Sequence, residues 1–170
     1  SGLYRALPGT MTISDTKMFY LDPYITYFSN SGFKHTLNFR FFHNGVDNSN
    51  NQSNSSDVYY GEYQAHKEFQ DIKGLNVTGG LAMNKIRANS ELYTYSGKTK
   101  NSLENYSVFI QADKKFLKSI NLSAGYRVEY FTLNDSELVV KPIARGGVSW
   151  ALTRGTFLRA SYGQGYRYPS

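Results

Sequence analysis

The chain has 170 residues with no cysteine, 16% aromatic residues and a formal net charge of +6. The lack of cysteine excludes disulfides and thiolate metal sites, and the Lys and Arg residues are scattered instead of forming the basic stripe typical of nucleic-acid binding. No apolar run is long enough for a membrane helix. A mean hydropathy of −0.50 despite 15 Tyr and 11 Phe shows that polar and apolar residues are finely interleaved, which favours a β protein.

The first pair of strands is predicted over residues 17–28 and 33–43. The residues at 29–32, Ser-Asn-Ser-Gly, predict a tight turn between them. Pro23 lacks a backbone donor, which indicates an edge position or a bulge. The second strand shows strict alternation of apolar and polar residues, typical of a strand with two different faces. Its apolar residues are Phe33, Leu37, Phe39 and Phe41, and its polar residues are Lys34, Thr36, Asn38 and Arg40.

Three further hairpins follow the first one. Their strands are predicted over residues 57–69 and 75–87, then 103–116 and 120–131, then 138–152 and 156–168, with short turns near 71–74, 118–119 and 153–155. This gives about eight strands. The connections between hairpins, at 44–57, 88–102 and 134–137, are polar, and the first two are long. Short turns at one end of the sheet and long loops at the other are typical of an up-and-down transmembrane barrel.

Two features favour a transmembrane β-barrel over a soluble barrel or sandwich, whose apolar faces point inward. Several tyrosines fall in the apolar register near strand ends, where amphipathic rings suit a membrane interface. The polar register carries many long charged side chains, which suit a wall that faces polar contents. The tyrosines are Tyr59, Tyr63, Tyr126, Tyr130, Tyr166 and Tyr168, and the charged residues are Lys34, Arg40, Glu62, Arg127, Glu129, Lys141, Arg145, Arg159 and Arg167.

The last thirty residues, KPIARGGVSWALTRGTFLRASYGQGYRYPS, carry a recognisable pattern. They resemble the barrel of TonB-dependent outer-membrane receptors, in which a strand with Pro and Gly precedes one reading roughly L-R-A-S-Y-G-x-G-F-R-x-P-S. Tyr166 stands where Phe is commoner. The resemblance is specific over residues 121–170 and architectural before them, and its style is similar to receptors of the Bacteroidetes type. The matching residues are Pro142, Gly147, Leu158, Arg159, Ala160, Ser161, Tyr162, Gly163, Gly165, Arg167, Pro169 and Ser170.

This resemblance implies a receptor of the bacterial outer membrane that imports a scarce ligand of the siderophore, cobalamin, haem or glycan class. Its expected partners are membrane lipid, that ligand, its own plug domain and the TonB complex, which supplies energy through an N-terminal part. Residues 1–170 are expected to be a segment of a larger barrel of about 22 strands. No plug domain is expected within them, and further strands are expected beyond the segment.

The motif also suggests contacts with a plug. Ser161, Gly163 and Gly165 leave room on the lumenal face, and Arg159 and Arg167 on that face would suit carboxylates of a plug packed inside the barrel. In the alternative interpretation, the glycines mark bulges or curvature and the arginines pair with neighbouring strands. Within the loop at 88–102, Tyr93 and Tyr95 are candidates for stacking on a ligand.

No catalytic or cofactor chemistry is predicted. His35, His43 and His66 lack metal-ligand spacing, and residues 161–165 lack the order of a nucleophile elbow. Two alternatives to the receptor remain open. One is a complete eight-stranded outer-membrane barrel with a structural or adhesive role, and the other is a soluble ligand-binding β-barrel.

Overall fold

The computed structural model describes residues 12–50, 52–91, 99–117, 119–134 and 139–165. Nine antiparallel strands form one sheet in the order β1-β3-β4-β5-β6-β7-β8-β9, and β2 also pairs with β3. The strands are β1 (Ser14–Leu21), β2 (Tyr24–Phe28), β3 (Phe33–Asn48), β4 (Asn54–Phe69), β5 (Leu75–Ser90), β6 (Lys100–Phe116), β7 (Ile120–Leu133), β8 (Val139–Thr153) and β9 (Thr156–Gly163).

The prediction of an all-β, up-and-down arrangement is confirmed. The first predicted strand is divided into β1 and β2, and both parts lie along the same side of β3. Pro23 stands at the division, at the edge position predicted for it. The backbone N–H of Phe39 donates to the Pro23 carbonyl oxygen at 3.0 Å, so the carbonyl keeps its ladder partner although the proline has no N–H to offer.

The strands extend further than the sequence pattern predicted. β3 to β8 have between 14 and 17 residues each, whereas about 9–11 suffice to cross a bilayer. Much of the predicted loop at 44–57 belongs to strands, because β3 continues to Asn48 and β4 begins at Asn54. The sequence pattern did not predict this continuation, because the alternation of apolar and polar residues ends before the backbone hydrogen bonds between the strands do.

Short turns join the strands at the opposite end. Gly32 and Gly74 occupy the left-handed region with φ of 80° and 76°, and the N–H of Gly32 donates to the Ser29 carbonyl at 3.0 Å. Glycine suits these positions because it lacks the Cβ that makes left-handed backbone unfavourable. The turns predicted near residues 29–32 and 71–74 are therefore confirmed.

The sheet stands as a single layer. Among the described residues, the buried hydrophobic side chains are only Ala82 and Phe131, far fewer than a two-layer core would bury. In the part of the chain that the structure describes, no helix is both long and apolar enough to cross a bilayer.

Gly74→Ala is expected to destabilise the folded barrel. An added Cβ would lie 2.9 Å from Lys115 Cβ in a left-handed backbone, at a cost of about 1–3 kcal/mol. Gly155→Ala is the control, because its Cβ would meet open space without left-handed backbone. The denaturant midpoint should fall for Gly74→Ala only, and equal midpoints would contradict the role assigned to this turn.

Candidate functional site: the two faces of the sheet

One face of the sheet is apolar and uncovered. Its residues lie directly opposite one another across the strands, as in the row formed by Tyr63, Leu81, Val108 and Val128. An exposed apolar surface that crosses a whole sheet is far larger than soluble monomers usually present to water. Between 49% and 59% of the accessible surface remains exposed on Leu37, Leu81, Val108, Ile110, Tyr126 and Leu158.

Aromatic rings and one histidine reinforce this apolar face. Phe41 and Tyr59 pack with ring centroids 4.9 Å apart. His35 stacks on Tyr63 at 6.0 Å, and its Nδ1 forms a hydrogen bond of 2.7 Å with the Tyr63 hydroxyl. The Nδ1 atom of His35 is therefore engaged within an aromatic cluster. No group of residues suited to hold a metal ion occurs in the described ranges.

The opposite face is polar, and Glu62 on β4 is a centre of its hydrogen bonds. The Tyr60 hydroxyl donates to Glu62 Oε2 at 2.7 Å, and Gln64 Nε2 donates to Oε1 at 2.7 Å. Asn38 on β3 adds a longer bond of 3.4 Å to Oε1. Three donors from two strands thus hold one carboxylate in place on this wall.

Arg127 on β7 forms a second polar cluster together with a packed ring. Its Nε lies 2.9 Å from Glu129 Oε1, and its guanidinium carbon lies 5.9 Å from the centroid of Phe109 on β6. The Phe109 ring in turn covers Gly80 on β5, where a Cβ would approach Phe109 Cζ to 2.6 Å. Glycine at position 80 is thus required for the Phe109 ring to occupy this position over β5.

Arg145 on β8 crosses a neighbouring strand. Gly125 on β7 is directly opposite both Gln111 on β6 and Arg145. Arg145 Nη2 donates to Gln111 Oε1, and a Cβ at position 125 would lie 2.9 Å from Arg145 Nε. The guanidinium reaches the second strand because glycine leaves the space between them empty.

Small residues beside this crossing form a shallow concavity of about 390 Å³ on β6 to β9. Gly163 is directly opposite Arg145, and Ser161 is directly opposite Gly147. Arg159 is opposite Ser149 on the same face and lines a second concavity of about 660 Å³. The polar wall is therefore recessed along β7 to β9 and carries cations at the recess. The first concavity is lined by Gln111, Ser123, Ala124, Gly125, Arg145, Gly146, Gly147, Ser161, Tyr162 and Gly163.

Comparison with known families decides the identity of this architecture. The family model described as "TonB dependent receptor-like, beta-barrel" matches residues 2–170. The chain belongs to this family. TonB-dependent receptors are transport proteins of the Gram-negative outer membrane and not enzymes. No curated protein and no solved structure matches the chain.

In this receptor barrel the predicted motif divides between the two faces. Arg159, Ser161 and Gly163 share the polar face, whereas Tyr162 lies on the apolar face with 69% of its surface exposed. Gly165 follows β9. The register is regular at Gly163, and the β8–β9 irregularity lies between Ala151 and Thr153. The candidate residues Tyr93, Tyr95, Arg167 and Pro169 lie outside the described residues.

The sequence interpretation of the receptor barrel placed Glu62 and Arg145 on the polar face but gave neither a specific role, and it did not consider Gln111. Their partners lie on neighbouring strands, so the contacts depend on register. The feature that indicates the Arg145 contact is a glycine directly opposite a long cationic side chain. It can be recognised only when the register that pairs Gly125 with Arg145 is known.

Gly80→Ala is expected to destabilise the receptor barrel by about 1–3 kcal/mol, the range for overpacking. Its Cβ would clash with the Tyr63 carbonyl oxygen and with the Phe109 ring. Gly79→Ala is the matched control, because its Cβ would come no closer than 3.6 Å to the Phe109 carbonyl oxygen. Denaturant titration should separate the two variants, and a stable Gly80→Ala barrel would show that Phe109 does not depend on this glycine.

Proposed function

We propose that this chain forms part of the barrel wall of an outer-membrane receptor that imports a scarce ligand with TonB-derived energy. The single observation that carries the proposal is the pairing of an uncovered apolar face with a charged, hydrogen-bonded face across one layer of strands. A bilayer would cover the first face, and the lumen would contain the second. Family membership supports the same assignment.

The open sheet favours the receptor over both alternatives. β1 and β9 stand at the two ends of the strand order, whereas a complete eight-stranded barrel would join its first and last strands. A soluble barrel would turn its apolar residues inward and bury them. Here the buried apolar side chains, Phe131 and Ala82, lie on the polar face, and the apolar face is the exposed one. These features support a wall segment of a larger barrel.

The ligand is proposed to belong to the siderophore, cobalamin, haem or glycan class, the range implied by the family resemblance. The polar wall offers carboxylate, amide and phenol groups, exemplified by Glu62, Gln64 and Tyr60. Such groups suit a hydrogen-bonding ligand in transit. The TonB complex would act through an N-terminal part of the receptor.

The recess on β7 to β9 is proposed as a seat for the plug domain. Gly147 and Gly163 lower the wall there, and Arg159 stands at its margin. Arg145 is already engaged by Gln111, so Arg159, together with Arg167 from the sequence motif, is the proposed contact to plug carboxylates.

The assignment of the faces is tested with single cysteines, since the chain has none of its own. Thr36 and Leu37 are adjacent but lie on the polar and apolar faces. A fluorophore at Leu37→Cys should be quenched by a lipid-soluble quencher, and one at Thr36→Cys by a water-soluble quencher. Quenching in the reverse order would overturn the membrane assignment.

The transport role is tested in cells that depend on the receptor for ligand uptake. Uptake should disappear when TonB is deleted. The double variant Arg159→Ala/Arg167→Ala should reduce uptake severalfold and leave the plug more accessible to protease, whereas Arg154→Ala in the β8–β9 turn should change neither. Unchanged uptake and protease resistance in the double variant would exclude the plug contact, and uptake without TonB would exclude the transport mechanism.

A further inference from the structure

The two faces of the sheet exchange character beyond the apolar band. On the apolar face, Met83 on β5 and Tyr106 on β6 are directly opposite each other, and the next residues of that face toward the long connections are charged or polar. The polar face carries a row of apolar side chains at this level. Since β5 continues to Ser90 and β6 begins at Lys100, the exchange occurs within the hydrogen-bonded sheet.

One residue from each of five neighbouring strands, β3 to β7, forms this row, which we call the neutral row. Each member is directly opposite the next one in the register, and each is partly buried. Directly opposite residues have Cβ atoms about 4.5–5.5 Å apart, so the side chains pack along one line. The members are Phe42, Val58, Ile86, Leu103 and Leu133.

The polar face is uncharged from the neutral row to the strand ends. Asn44 and Asn101 lie beyond the row, and no described residue of this face on β3 to β7 is charged between the row and the long connections. The charged residues that adjoin the row in sequence or lie beyond it on these strands are on the opposite side of the sheet. They are Asp47, Asp57, Lys85, Arg87, Lys100 and Glu104.

The nearest cations of the polar face on β3 and β7 are engaged by neighbours. Arg40 Nη2 lies 2.9 Å from Asp22 Oδ2, and Arg127 Nε lies 2.9 Å from Glu129 Oε1. An anionic ligand beside the neutral row would therefore lose hydration without gaining a partner for its charge, which is unfavourable. An uncharged ligand has no such cost.

Two amide groups that flank the neutral row have hydrogen-bonding capacity to spare. Asn44 follows Phe42 on β3, and Asn84 precedes Ile86 on β5, each two residues away on the same face. The Oδ1 atoms of both asparagines are buried and have no hydrogen-bond partner among the described residues. Buried polar atoms are usually paired, so a ligand that brings N–H or O–H groups to these amides would complete them.

The position of the neutral row favours a ligand over lipid or plug as its cover. The row lies on the face opposite the apolar band, so the bilayer does not reach it. The proposed plug seat lies at the other end of the strands, where Ser123 on β7 is opposite Gly147. Leu133 lies ten residues beyond Ser123, about 33 Å along the strand. The long connections of outer-membrane barrels are extracellular, so a ligand enters at the end that carries the row.

We propose that the receptor imports an uncharged ligand with an apolar face, and that the neutral row contacts this face. The inference rests on the proposed function, which places the polar face in the lumen. The amide groups of Asn44, Asn84 and Asn101 would engage hydrogen-bonding groups at the edge of the ligand. Among the ligand classes proposed above, cobalamin and an uncharged glycan have this chemistry. Haem, which carries propionates, and anionic ferric catecholates lack it.

The ligand class is tested with the full-length receptor, purified in detergent. It is titrated with the uncharged probes cyanocobalamin and maltoheptaose and with the anionic probes haemin and a ferric tris-catecholate. One of the uncharged probes should bind most tightly, with an affinity that does not change with salt concentration, because no charge on the ligand is screened. The probe that binds distinguishes a corrin from a glycan.

A charge placed in the neutral row should weaken this binding. Leu103→Asp should weaken it at least about tenfold, because the ligand would cover an unpaired carboxylate. Ser102→Asp is the matched control, since it adds the same charge one residue away on the opposite face, and it should bind as the wild type. Leu103→Asn adds no charge and should lose severalfold less affinity than Leu103→Asp.

Tighter binding of an anionic probe, or binding of neither uncharged probe, would overturn the proposal, and this comparison needs no variant. Equal affinity of Leu103→Asp and the wild type, or an equal loss in Leu103→Asp and Leu103→Asn, would overturn it as well. Uptake is measured in parallel. TonB-dependent uptake of an anionic ligand removes only this inference, whereas binding of an uncharged probe without TonB-dependent uptake removes only the transport role.

Discussion

The structure depends on strict alternation of side chains across a single sheet. Each strand presents one face to each side, so the cross-strand register determines both faces at once. A one-residue slip between β5 and β6 would place Ser107 directly opposite Leu81 and would turn Val108 to the opposite wall. Since no second layer packs on the described sheet, its surroundings must match this alternation on both sides.

Glycine has a different use on the polar wall from the one it has in the turns. Gly80 accommodates the Phe109 ring, and Gly125 allows Arg145 to reach Gln111 across an intervening strand. These positions let large side chains lie along the wall instead of projecting from it. The polar surface is thereby smoothed beside the recess, where Gly147 and Gly163 leave it low.

Much of the architecture follows from the sequence, because alternation and turn composition are local signals. The hairpins and the turn at Gly32 lie where they were predicted, and Pro23 has the edge position predicted for it, although the strand divides there. The strand ends next to the long connections were not predicted. Residues there, such as Ser55 and Asn89, are polar and paired with each other, so they give no apolar–polar alternation. Contacts such as Arg145 with Gln111 lie 34 residues apart in sequence and require the register to be known.

The length of the strands has a consequence for the conformational entropy of the long connections. β3 ends at Asn48 and β4 begins at Asn54, so only residues 49–53 separate two strands that are paired up to Val46 and Asn54. Much of this end of the sheet is therefore hydrogen-bonded strand and not loop. The conformational entropy of these residues is lost on folding, so this part of the sheet is preorganised.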